Sequence, residues 1–109
     1  MNKMSYDEIK AAGAKLLAMP RPGEFERSER VIFLEETFSG RTDNFCQFMG
    51  HMKGVLETRK ISKADAVSIF DDIAMAALHI GRDDGRYDAI KRYAAPAFKF
   101  LLNDREATA

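Results

Sequence analysis

The residue types in this chain that could do chemistry are two histidines, one cysteine and a polar cluster near residue 80. His79 lies four residues before Asp83 and eight before Tyr87, so its imidazole could pair with a carboxylate and act as an oriented general base. A histidine in the last turn of a helix is also stabilised by the helix dipole without any catalytic role. No nucleophile or further polar set accompanies these three residues, so the sequence predicts a protein that is not an enzyme.

Metal and cofactor sites have equally little support. His51 and His79 would need carboxylates from elsewhere in the chain to hold a metal ion. The run Asp83-Asp84-Gly85 lacks the ligand spacing of a calcium loop. A single cysteine, Cys46, excludes an internal disulfide, and its aromatic neighbours indicate a buried, unreactive thiol. We therefore expect no metal and no cofactor.

The composition is that of an ordinary globular domain. The 109 residues are 46% hydrophobic and 31% charged, and 17 basic side chains balance 17 acidic ones. Zero net charge argues against a strongly basic nucleic-acid-binding protein, and the length fits one domain over residues 1–109. No apolar run approaches the roughly 20 residues that cross a bilayer. Secretory and lipidation signals are absent, so we expect a cytoplasmic protein that does not engage membranes.

Capping residues and helix breakers divide the chain into about five helices, which predicts an all-α fold. Ser5 and Glu8 form a capping box in front of a first helix over residues 6–18. Pro20 follows it, and proline cannot continue a helix. Thr42 or Asp43 is expected to cap the third helix.

The second segment, residues 24–39, is open to two interpretations. Its central residues 30–34 include the β-branched and aromatic run Val31-Ile32-Phe33-Leu34, which favours a strand. The charged flanks favour a helix with two apolar faces, which would need two packing partners. We choose the helix.

Apolar residues at helical spacing mark the remaining three helices, which span about residues 44–59, 63–80 and 86–102. We expect Gly81 to end the fourth helix and a polar turn over residues 82–85 to follow it. The fourth helix has the widest apolar arc, which includes Leu78, so we place this helix at the centre of the fold. Pro96 predicts a kink in the fifth helix, and residues 103–109 are expected to fray.

Helix 2 carries more apolar side chains than one core-facing stripe can hold. At about 100° per residue, Val31 and Leu34 share one face, whereas Phe25, Ile32 and Phe33 lie on others. These three residues have no obvious place in the same core. The pattern therefore predicts that another folded chain covers them.

Features of two other helices extend this predicted surface. Gly50 and Gly54 lie four residues apart, and such a pair of small residues lets another backbone come close. Met75 lies beyond the apolar arc of helix 4, where it either fills the core or joins an adaptable binding surface. The residues that we expect to bind protein, including two acids of helix 2, are Phe25, Glu29, Ile32, Phe33, Glu36, Gly50, Gly54 and Met75.

Surplus apolar surface without a catalytic set predicts a non-catalytic protein-binding module. It would be a small intracellular regulator, adaptor or stoichiometric inhibitor, and a homodimer is expected because twofold dimers are the commonest way to bury such surface. One alternative is a nucleic-acid-binding regulator that uses Arg86, Lys91, Arg92 and Lys99 of helix 5, although neighbouring acids argue against it. Another is a small enzyme or ligand binder around His79.

Overall fold

Four helices and the beginning of a fifth make up the described part of the chain. The computed structural model describes residues 3–20, 28–58, 61–88 and 90–92, and no strand forms within them. The helices are α1 (Tyr6–Ala18), α2 (Glu29–Phe38), α3 (Thr42–Thr58) and α4 (Lys63–Asp84), with a fifth, α5, beginning at Tyr87. The radius of gyration is 13.3 Å, close to the value of about 13 Å for a compact domain of this length. The all-α prediction is confirmed.

Serine caps start three of these helices. In the capping box of α1, the Ser5 hydroxyl accepts from the Glu8 amide and the Ser5 amide donates to the Glu8 carboxylate, each at 3.2 Å. Ser28 caps α2 and Ser62 caps α4 in the same way, each accepting an amide hydrogen bond from the third helical residue. The predicted bounds of α1 are confirmed, and so is the choice of helix over strand for residues 30–34. Residues 24–27 of the predicted second helix, including Phe25, lie outside the described residues.

The start of α3 lies two residues earlier than predicted, because a carboxylate from α4 supports it. Asp84 accepts hydrogen bonds from the Gly40 amide at 2.9 Å and from the Thr42 hydroxyl at 2.5 Å. The predicted caps, Thr42 and Asp43, are therefore the first residues of the helix itself. A residue distant in the sequence thus holds the Gly40 backbone and the Thr42 side chain at the start of α3.

The end of α4 was predicted wrongly. The helix continues through Gly81 and the acidic pair that follows, and it ends at Gly85, which adopts the left-handed conformation with φ 67°. Gly81 is buried inside the helix, where a Cβ atom would lie 2.8 Å from the Tyr87 Cα atom. The absence of a side chain at Gly81 therefore allows α5 to pack closely against α4. Gly85 supplies the positive φ at which the helix ends.

The helices bury one apolar core. Three fully buried rings form its centre, with centroids 4.9 Å apart for Phe38 and Phe48, 5.4 Å for Phe38 and Phe45, and 6.1 Å for Phe45 and Phe48. Helix α3 packs against α1, α2 and α4, whereas α4 packs against α2, α3 and the beginning of α5. Helix 4 was predicted to lie at the centre of the fold, and the structure shows that α3 and α4 share this position. Ile90 of α5 is also buried in this core, and Pro96 and residues 103–109 lie outside the described residues.

Candidate protein-binding surface

The outward face of α4 carries a row of four exposed residues that we call the α4 outer stripe: Asp71, Met75, Leu78 and Arg82. Their spacing is i, i+4, i+7 and i+11, so they fall within an arc of about 60° on a helix that turns about 100° per residue. The most deeply buried α4 residues occupy the opposite face and include Ile69, Ile73, Ala76 and Ile80. The stripe therefore points directly away from the core.

Two large apolar side chains lie at the middle of the stripe. Met75 is 48% exposed and Leu78 is 41% exposed. Single exposed apolar residues are normal on a protein surface, but these two are adjacent on one helical ridge. Full burial of such a side chain gains about 1.5–3 kcal/mol, so a partner that covers what is still exposed would gain about 1 kcal/mol from each. Leu78 was predicted to lie in the core-facing arc, and its exposure corrects that assignment.

The α2 residues of the predicted surface are only partly available. Phe33 is half-buried against the chain's own core, and the Lys15 ammonium lies 4.7 Å from the centre of its ring. This cation–π contact gives the ring a cover within the same chain. Glu29 and Glu36 are exposed, with half-buried Ile32 between them on the face that turns away from the core. Phe33 of helix 2 is therefore partly covered by its own chain, contrary to the prediction that it has no place in the same core.

The glycine pair of α3 has no close neighbour at its exposed end. Gly54 is exposed, and a Cβ atom there would meet no described atom within 4 Å, while Gly50 is half-buried. The close contact between helices lies at Gly13 of α1 instead, where a Cβ atom would lie 3.0 Å from the His51 ring and 3.2 Å from the Met52 sulfur. Partner binding at Gly50 and Gly54 stays a prediction.

His79 pairs with a carboxylate of α2 and not with Asp83, the alternative that the sequence offered. Its Nδ1 atom is hydrogen-bonded to Glu35 of α2, and both side chains are partly buried. Asp83 is exposed in the last turn of α4, and Tyr87 lies against Gly81. The His79–Asp83 pair, which the sequence offered only as an alternative to a histidine stabilised by the helix dipole, is replaced by the contact with Glu35 of α2. No group of three potential metal ligands occurs within residues 3–20, 28–58, 61–88 and 90–92.

A buried ion pair between α2 and α4 was not predicted. Arg30 Nη1 lies 3.4 Å from Asp72 Oδ2 and donates to Ser68 Oγ at 3.2 Å, while Nη2 donates to the Met19 carbonyl at 3.1 Å. Arg30 and Asp72 are 6% and 8% exposed. Among the described residues, the Arg30 Nε atom has no hydrogen-bond partner. This cluster joins the residue that follows α1 to α2 and to α4, the helix that carries the outer stripe.

Two open grooves are lined by mixed charges. One, of about 470 Å³, is lined by residues that include Arg82, Arg86, Tyr87, Asp88 and Arg92, and so contains two of the basic residues named for nucleic-acid binding. Asp88 lies in the same groove, and Arg86 forms a 3.2 Å ion pair with Asp43. A larger groove of about 1070 Å³ at the start of α3 also mixes both signs of charge. Neither groove presents a continuous basic surface of the kind that binds nucleic acid.

Cys46 is half-buried on α3. Burial raises the pKa of its thiol above the ordinary value, the Asp43 carboxylate raises it further, and the Arg86 guanidinium opposes them. A raised pKa leaves less thiolate near neutral pH, and the thiolate is the reactive form. We expect the native protein to react more slowly with a soluble disulfide reagent at pH 8 than urea-unfolded protein does, and its rate to keep rising above that pH. Equal rates for native and unfolded protein would contradict this prediction.

Comparisons with known proteins found no match to this chain. No family model matches it, and neither a curated protein nor a solved structure matches it. None of the helices in the described ranges combines the length and hydropathy needed to cross a membrane. Any functional proposal therefore depends on the residues and contacts described above.

Proposed function

We propose that this chain is a non-catalytic protein-binding module, a small regulator, adaptor or stoichiometric inhibitor, and that the α4 outer stripe is its contact surface. The observation that carries the proposal is the adjacent exposure of Met75 and Leu78 on the face opposite the core. An apolar ridge on one helix face is the form in which helices commonly bind grooves or other helices.

The charges at the two ends of the stripe suit a specific contact. Asp71 lies one turn before Met75, and Arg82 lies one turn after Leu78. Charges at the rim of an apolar contact orient the partner and add little to its affinity. Ala74, exposed beside the stripe, is small enough to let a partner helix approach closely. With only two large apolar side chains at its centre, the surface suits a weak or transient complex better than an obligate one.

The test is to place glutamates in the stripe and compare the proteins that copurify from the native cell. Met75→Glu combined with Leu78→Glu should lower the free energy of unfolding by about 2 kcal/mol, because about half of each side chain is covered within the chain and that half is lost. Ala11→Glu combined with Ala14→Glu is the matched control, because these α1 residues are exposed and have the same i, i+3 spacing. Circular dichroism and urea unfolding verify that both variants fold.

We expect the proteins retained by the unsubstituted chain to be retained by the α1 variant and lost by the α4 variant. Retention of the same set by all three chains would contradict the proposal, as would the failure of the unsubstituted chain to retain any protein, itself included.

A further inference from the structure

The α4 outer stripe ends at a groove that carries an excess of positive charge. Arg82, the last residue of the stripe, also lines the open groove of about 470 Å³ that lies where α4 ends and α5 begins, which we call the α4–α5 groove. Within the described ranges, the other charged side chains that line it are Arg86, Asp88 and Arg92. Three guanidinium groups and one carboxylate therefore line this groove. Because the stripe and the groove share Arg82, they form one continuous surface.

Two of the three arginines have no carboxylate paired with them among the described residues. Arg86 forms the 3.2 Å ion pair with Asp43, but no ion pair in the described part of the chain includes Arg82 or Arg92, and both are exposed. Asp83 follows Arg82 but lies about 100° further around α4, and it does not line the groove. A partner that enters the groove therefore meets two guanidinium groups that the described residues leave unpaired.

The groove also has an apolar wall. Tyr87 lines it, lies against Gly81 and is 41% exposed, as is Leu78 on the neighbouring ridge. Tyrosine and arginine are enriched where protein surfaces meet, and an arginine binds a carboxylate through two parallel hydrogen bonds. A protein segment with both apolar and acidic side chains therefore has a matching group for each part of this surface. A nucleic acid would bring no apolar side chain to Met75 and Leu78.

From this complementarity we infer that the partner is an acidic protein segment, whose apolar side chains cover Met75 and Leu78 and whose carboxylates pair with Arg82 and Arg92. The inference rests on the proposed function and states the chemistry of its partner. Met75 and Arg82 lie about 10 Å apart along α4 at 1.5 Å per residue, so a helix of about three turns reaches from the ridge into the groove. Because exposed charge pairs are screened by salt, we expect binding to weaken as the ionic strength rises.

Fluorescence anisotropy with labelled synthetic peptides tests this inference on the purified full chain. The probe is an amphipathic helical peptide of about four turns, with leucines on one face and glutamates beside them. We expect it to bind saturably below about 1 mM, the range of a weak complex. A peptide with lysine in place of each glutamate, a peptide with serine in place of each leucine, and a single-stranded oligonucleotide should each bind at least about tenfold more weakly.

Substitutions in the groove locate the bound acid. Arg92→Glu should weaken the glutamate peptide by about tenfold, whereas Lys91→Glu makes the same charge change at an exposed α5 residue that does not line the groove, and it should have little effect. Asp88→Asn removes the carboxylate of the groove and should tighten binding by about two- to threefold. Asp83→Asn is its control outside the groove. A gain in affinity cannot result from misfolding.

Two substitutions test the contribution of the apolar ridge. Met75→Ser combined with Leu78→Ser adds no charge, and we expect it to weaken the glutamate peptide by about tenfold, because most of the apolar contact is removed. Circular dichroism verifies that this variant folds. Weakening by these serines and by Arg92→Glu, together with tightening by Asp88→Asn, supports the inference.

The other outcomes overturn it in distinguishable ways, while the proposed function is judged by the copurification experiment. Failure of the glutamate peptide to bind, or equal binding of the lysine peptide, overturns the acidic partner. Equal binding of the oligonucleotide indicates a general polyanion site and overturns the choice of a protein segment. Binding that the groove substitutions change but the serines do not overturns the continuous surface. Binding that no substitution changes places the peptide elsewhere and overturns the inference as a whole.

Discussion

Replacing Asp72 by alanine is expected to destabilise the protein by about 3 kcal/mol or more, because it leaves a buried guanidinium without its carboxylate. Arg30 would keep its hydrogen bonds to Ser68 and Met19, but these are neutral acceptors. A domain of this kind has a total stability of about 5–15 kcal/mol. The loss is therefore large enough to appear as a clear shift of the urea midpoint followed by circular dichroism.

Two comparisons separate this cause from a general effect of substitution in α4. Asp83→Ala removes an exposed carboxylate from the same helix, and we expect it to change the stability by no more than about 0.5 kcal/mol. Replacing both charged residues, with Arg30→Met and Asp72→Leu, should cost less than Asp72→Ala alone, because no unpaired charge stays buried. Similar stabilities for Asp72→Ala and Asp83→Ala would show that the ion pair contributes little.

The second large effect is expected at Gly81, where alanine should destabilise the protein although it is the better helix former. A Cβ atom there would lie 2.8 Å from the Tyr87 Cα atom and 3.2 Å from its ring, and the backbone of α5 would have to shift. Overpacking of this kind costs about 1–3 kcal/mol. This outweighs the gain of about 1 kcal/mol that alanine brings inside a helix.

Gly54→Ala is the matched control, because it is the same substitution inside a helix without the close neighbour. Gly54 is exposed on α3, and no described atom lies within 4 Å of its added Cβ. We expect this variant to be more stable than the unsubstituted chain by about 0.5–1 kcal/mol. Opposite signs for the two variants in thermal or urea unfolding would support the close contact of α4 with α5. Stabilisation in both would contradict it.

The parts of the fold that depend on local signals could be predicted from the sequence. The bounds of α1 follow from Ser5, Glu8 and Pro20, and a cap and a helix breaker act within a few residues of the helix that they define. The apolar stripe of α3 was likewise recognisable from its period. Phe45, Phe48 and Met52 are buried as that period predicts.

Features that depend on contacts between distant residues could not be predicted in this way. Gly81 and Gly85 are both plausible ends for α4, and only the contact of Gly81 with Tyr87 and the left-handed conformation of Gly85 distinguish them. The sequence does carry a sign of the Arg30–Asp72 pair, because the spacing of the apolar residues places each of these charged residues on the core-facing side of its helix. Only the structure shows that these two side chains lie next to each other between α2 and α4.

One residue of the predicted protein-binding surface, Met75, is exposed for the reason that the sequence gives. Met75 was recognised as lying beyond the core-facing arc of its helix, and it is exposed. The sequence places Leu78 in that arc because apolar residues alone do not mark where the arc ends, and it predicts an uncovered Phe33 because the Lys15 side chain that lies over the ring belongs to another helix. The contact surface that we propose therefore lies on α4 and not on α2.

The central claim, that the outward face of α4 contacts another protein chain, is tested most directly by photo-crosslinking inside the native cell. A benzophenone amino acid is placed at position 75, and the same residue at position 14 on α1 is the control, since Met75 and Ala14 are both exposed. On irradiation we expect discrete adducts at position 75 and none at position 14. The same faint adducts at both positions, or none at either, would contradict the claim.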